Sequence, residues 1–129
     1  MIFASLLLFA AAPQAEPDCG ELAQQPMNIC LYEAYERLDA DLNRQWSIVT
    51  AVMKARDREI DRTTDQDPGY FDTLLAAQRT WLVWRDNQCL LESFEMRGGS
   101  GAPMLHSMCM ARLTGERIQQ LKSLVESDN

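Results

Sequence analysis

Apolar side chains recur along much of this chain at steps of three and four. Pro26 suits the first turn of a helix, where its missing N–H costs nothing. From there the apolar positions are Leu31, Tyr35, Leu38, Leu42, Trp46 (or its neighbour Gln45), Val49, Met53 and Ile60. Such steps make one face of a helix, and neither Gly nor Pro interrupts them before Pro68-Gly69. The spacing therefore predicts a first helix over 27–62, about 50 Å long at 1.5 Å per residue. Opposite the stripe lie Glu33, Glu36, Arg37, Asp41, Arg44 and Lys54, with i,i+4 partners such as Glu33 and Arg37. The stripe thins over 56–67, which holds three Arg and five acidic residues; it reads as a solvated overhang closed by Asp67-Pro68-Gly69.

A second helix starts at Tyr70-Phe71 and carries Phe71, Leu74, Leu75, Gln78, Trp81, Leu82, Arg85 and Cys89 on one face, continuing to about Phe94 or Met96. The stretch Arg97-Gly98-Gly99-Ser100-Gly101-Ala102-Pro103 then breaks any helix. A third follows with Leu105, Met108, Cys109, Arg112, Thr114, Arg117, Ile118, Leu121 and Leu124-Val125. β-Branched residues are sparse and never alternate, so no strand competes. The expected fold is all-α, a three-helix antiparallel bundle with one long N-terminal helix.

Ahead of the bundle, residues 1–15 carry no charge, and Ile2 to Ala12 is a largely apolar run. It is too short for a membrane span, which needs roughly 20 residues, but it fits the apolar centre of a secretory signal with Ala15 as the last residue removed. No Lys or Arg precedes it, and Pro13 lies close to the cut, two features that fit such a signal poorly. The expectation is a leader over 1–15 and a periplasmic or secreted domain over 16–129. Ala15-Glu16-Pro17-Asp18 before Cys19 is a poor site for lipid attachment, so no membrane insertion is expected after the leader is removed.

The four cysteines, Cys19, Cys30, Cys89 and Cys109, all lie in that domain. In a small exported chain an even number reads as two disulfides. Cys89 and Cys109 flank the glycine-rich break and can face each other across the hairpin of helices two and three. Cys19 and Cys30 are spaced to fold the N-terminal strap onto the first helix. Pairing 19–30 and 89–109 is favoured; the alternative sets Cys30 against helix two or three. With no CxxC and one histidine, His106, a zinc site lacks its ligands.

The balance of 12 Lys and Arg against 19 Asp and Glu leaves a net charge of −7. That argues against a nucleic-acid backbone as partner and is compatible with steering toward a cationic one. No nucleophile sits at a recognisable elbow, and the glycine-rich stretch lacks the Lys and preceding strand of a phosphate cradle. Neither an enzyme nor a cofactor is expected. Met104, His106, Met108 and Met110 form a thioether and imidazole set suited to Cu(I). On a helix they divide between two faces, and Met108 is expected to pack in the core instead.

The ordered pattern is Cys19, Met27 and Cys30; Asp39-x-x-Leu42-Asn43; Leu74-x-x-x-Gln78-Arg79-x-Trp81-x-x-x-Arg85-Asp86-x-x-Cys89; the Gly/Ser loop; Cys109; and Thr114-x-x-Arg117-x-x-x-Leu121. Over nearly all of 16–129 it resembles the LprI-type lysozyme-inhibitor family of small exported bacterial proteins. Trp46 stands where that pattern leads one to expect a tyrosine. The resemblance implies binding to lysozyme. Among the motif residues, Asp39, Asn43, Gln78, Arg85, Thr114 and Arg117 fall at or near inward faces of three helices, which predicts a structural polar network pairing a carboxylate with arginine. The partner-binding element is expected in the loop Arg97, Gly98, Gly99, Ser100, Gly101, running on to Pro103. It would protrude and fill a lysozyme cleft: its glycines allow close approach, Ser100 offers a hydroxyl, and Arg97 meets a catalytic carboxylate; the alternative is a plain interhelical turn kept short by glycine. The alternative function is an envelope protein–protein interaction module with no lysozyme target.

Overall fold

The computed structural model describes residues 18–126, so the expected leader lies outside the described residues. A 3-10 turn at Cys19–Glu21 precedes three helices: α1 (Gln24–Asp57), α2 (Tyr70–Ser93) and α3 (Ala102–Glu126). A second 3-10 turn, Phe94–Met96, extends α2. The helices form an up-down-up bundle in which α1 and α3 run parallel. At one end Asn28 Nδ2 donates to the Ser100 carbonyl over 2.9 Å; at the other, Arg56 Nη2 donates to the Leu124 carbonyl over 3.2 Å.

The first helix ends five residues earlier than its periodicity predicts, and the acidic overhang is a folded turn. Gly69, the residue preceding α2, offers no side-chain cap. The Asp57 carboxylate supplies one from the end of α1, accepting from the backbone N–H of Tyr70 at 2.6 Å and of Phe71 at 3.1 Å. A helix start leaves such N–H groups without intrahelical partners, and an anion there also meets the positive end of the helix dipole. Within the turn, Asp61 accepts from the backbone and hydroxyl of Thr63, bonds that hold its carboxyl below the usual range. Arg62 Nη1 donates to the Asp67 carbonyl over 2.6 Å. Extending α1 to residue 62 would carry Asp57 away from the start of α2.

Two apolar clusters fill the bundle. The larger joins Leu42, Val49 and Met53 of α1 to Leu74 of α2 and Ile118 and Leu121 of α3, with Trp46 and Phe71 packed against it. Gln45 is buried while Trp46 is only partly so. The smaller comprises Cys89, Cys109, Met110 and Leu113, with Tyr35 alongside; Trp81 touches both clusters. On α3 the buried face differs from the expected one: Met110 and Leu113 are inside, whereas Met108 is exposed. Arg112 lies outside as well, where it forks onto both oxygens of Glu92 at 2.9 Å. Because α3 packs against both α1 and α2, its inward arc is rotated from the stripe read off its sequence.

Candidate functional site

Both disulfides lie toward the end of the bundle that carries the glycine-rich turn. Cys19 bonds to Cys30 and Cys89 to Cys109, with Cα atoms 5.8 and 5.3 Å apart. The first folds the N-terminal strap onto α1, helped by Asp18, whose carboxylate accepts from the Gly20 N–H at 3.0 Å. The second closes the α2–α3 hairpin behind the glycine-rich turn.

That turn is short and pinned. The Gly99 N–H donates to the Met96 carbonyl over 2.9 Å, and the Ala102 N–H to the Gly99 carbonyl over 3.3 Å. Gly98 takes φ +78°, a left-handed conformation that side chains rarely adopt. Gly101 is buried, and a Cβ there would meet the Met96 sulfur at 2.6 Å, so a larger residue would make the flexible Met96 side chain move aside. Arg97, Gly98, Gly99 and Ser100 are exposed, but Asn28 ties the Ser100 carbonyl to α1, and the Arg97 guanidinium stacks over Phe94 at 4.4 Å. The segment forms a short exposed cap across the end of the bundle, tied to α1 and to Phe94.

Between the two apolar clusters runs a polar layer. Arg85 is only 5 % exposed. It donates through Nη1 to Thr114 Oγ1 at 3.2 Å and through Nε to Asp86 at 3.0 Å, and Asp39 lies 3.7 Å away. Arg117 donates through Nε to Gln78 Oε1 at 2.9 Å and through Nη1 to Gln120. The Trp81 ring lies near both guanidiniums, at 5.0 and 5.6 Å. Desolvation holds Arg117 below the ordinary arginine range. Burial raises the Tyr35 phenol, opposed by the charge of Arg85. The structure thus brings Asp39, Arg85 and Thr114 into one cluster and Gln78 and Arg117 into another. Asn43 joins neither: it is exposed, because four residues advance a helix by more than one turn and carry it past the buried edge. Asp86 is the partner that sequence reasoning overlooked.

Of the thioether and imidazole set, Met110 is buried beside the Cys89–Cys109 bridge. Met108 is exposed, and Met104, which receives a long contact from Gln24 Nε2 at 3.8 Å, lines one groove together with it. His106 lines a separate groove of about 510 Å³. Two thioethers therefore share a surface, and His106 and Met110 do not join them.

That groove is the feature the sequence pattern did not single out. All three helices contribute to it: Asn28, Ile29, Tyr32 and Glu33 from α1, Leu90 and Ser93 from α2, and Ala102, Pro103, His106 and Ser107 from α3. Ile29, Tyr32 and Leu90 are 61 %, 51 % and 49 % exposed. Their one sequence signal is position, since Ile29 and Tyr32 are apolar yet lie off the α1 stripe. Among the described residues, no helix is long and apolar enough to cross a membrane.

Comparison with known proteins gives a family and one relative. A protein of Rhizobium meliloti (strain 1021), itself uncharacterized, is 44% identical over 128 residues, covering 95% of this chain and 92% of its own. No solved structure matches. The family model for lysozyme inhibitor LprI matches residues 18–121, a span that contains both disulfides, the glycine-rich turn and most of all three helices. The chain belongs to the lysozyme inhibitor LprI family.

Proposed function

We propose that this protein is an exported lysozyme inhibitor that acts by binding and occlusion, without catalysis or a cofactor. The family match over 18–121 carries the reading. Three features support it. The two disulfides suit an oxidising compartment outside the cytoplasm, consistent with a leader over 1–15. The net charge of −7 steers the chain toward lysozymes, which are commonly cationic. The disulfide-bonded end presents a rigid cap, Arg97–Ser100, in which Arg97 can meet an acidic cleft and Gly98 permits close backbone approach. Rigidity matters because an interface that is already ordered loses less entropy on binding.

The test is a cell-wall lysis assay with lysozymes of several types, comparing the oxidised protein, a reduced and alkylated control, and Arg97→Ala. Stoichiometric inhibition by the oxidised protein, lost on reduction and weakened by Arg97→Ala, is expected. Absence of inhibition from folded, disulfide-bonded protein would reject the reading in favour of an envelope interaction module without a lysozyme target.

A further inference from the structure

We infer that the groove between the start of α1, the end of α2 and the start of α3 is the surface that docks a basic face of lysozyme, with Tyr32 as its anchor; this rests on the inhibitor reading above. The groove combines three properties. Ile29, Tyr32 and Leu90 leave about half or more of their surface in water, and Pro103 adds apolar wall. A chain that buries Leu121 and Val49 completely gains nothing for its own fold by holding these three outside. Contiguous exposed apolar surface rimmed by polar groups marks an interaction site.

The groove is also held in shape before any partner arrives. Ile29 precedes Cys30 and Leu90 follows Cys89, so each disulfide fixes the backbone beside one apolar wall. Asn28 bonds to the Ser100 carbonyl and so fixes the third side.

Charge selects the partner. No Lys or Arg lines the groove, whereas Glu33 does, and the whole chain is acidic. The complementary surface is an apolar side chain flanked by Lys or Arg, seated between Tyr32 and Leu90 with its cation on Glu33. Tyrosine at the centre of a desolvated patch is a frequent source of binding energy. A second copy of this chain would bring a like-charged surface to the same place, which opposes association.

The experiment measures the Kd for a cationic c-type lysozyme by titration calorimetry, with a thermal melt of each variant. Tyr32→Ala is expected to weaken binding by about thirtyfold or more, the range of a strong interface anchor, with Leu90→Ser next. Glu33→Gln is expected to weaken binding modestly and flatten its salt dependence. Val83→Ser, at a 63 % exposed position of α2 outside the groove, is expected to leave Kd unchanged. All four residues are at the surface, so the melts should move little. If Tyr32→Ala and Leu90→Ser bind like the unaltered protein while Arg97→Ala does not, the groove assignment is overturned and the inhibitor reading stands. If the unaltered protein binds none of the lysozymes tested, the inhibitor reading fails and the assignment with it. A dimer seen by light scattering and dispersed by Tyr32→Ala would make the groove a self-interface and overturn the assignment.

Discussion

Toward one end of the bundle, Val49, Met53, Leu74, Ile118 and Leu121 close on one another as an ordinary apolar core. Toward the other, the buried cluster is a disulfide with Met110 and Leu113, and Ile29, Tyr32, Leu90, Leu91 and Met108 remain in water. The first region is held by packing, although Ile48, Tyr70 and Leu124 stay exposed there as well. The second is cross-linked, so order there depends less on burial and apolar side chains stay available at the surface. Covalent bonds and packing are alternative ways to hold three helix ends together, and only the first fixes the backbone without drawing the neighbouring side chains inside. The polar layer of Arg85, Trp81 and Arg117 lies between them, so the two regions meet through hydrogen bonds and ring stacking as well as through the shared Trp81 contact.

The largest effect that would break this contrast belongs to the packed region. Leu121 is fully buried, and Leu121→Ala should lower the unfolding free energy by about 2–5 kcal/mol, the range for emptying a core site. Urea denaturation measures this, and lysozyme binding should be retained at temperatures where the variant is folded. Replacing Cys89 and Cys109 together by Ser opens a cross-link spanning 20 residues. The expected loss is about 3 kcal/mol, similar or smaller, yet binding should fall much further because the groove and cap lose their frame. If the two variants lose binding in proportion to stability alone, the division of labour between the ends is wrong. The smallest effect sharpens the account of the packed end. Asp57→Ala removes the carboxylate from the start of α2 and should cost about 1 kcal/mol, as for other lost helix caps, with binding unchanged.

The three helices and a glycine-rich break between the second and third are local properties, and the sequence determined them by itself. It favoured both disulfide pairings but left Cys30 an alternative partner, and it ran the break on to Pro103 where α3 already begins at Ala102. A stripe of apolar residues at helical spacing and a run of glycines constrain only the backbone around them, and the pairing 89–109 follows once a hairpin is drawn. Five of the six expected polar-layer residues could be seen as well, because each sits on or near its own helix's apolar face.

Only the tertiary structure decided what depends on the angle between helices. Met110 and Leu113 lie inside while Met108 and Arg112 lie outside, because α3 must face two neighbours at once. Asn43 on α1 falls just past the buried edge that Asp39 reaches, a margin set by how α1 is turned toward its neighbours. Asp57 caps a helix that starts thirteen residues further along the chain, an arrangement that exists only once the turn has folded. The groove is also of this kind: Ile29, Leu90 and Pro103 are far apart in sequence, and nothing in their local spacing says that three helix ends will gather them around one opening.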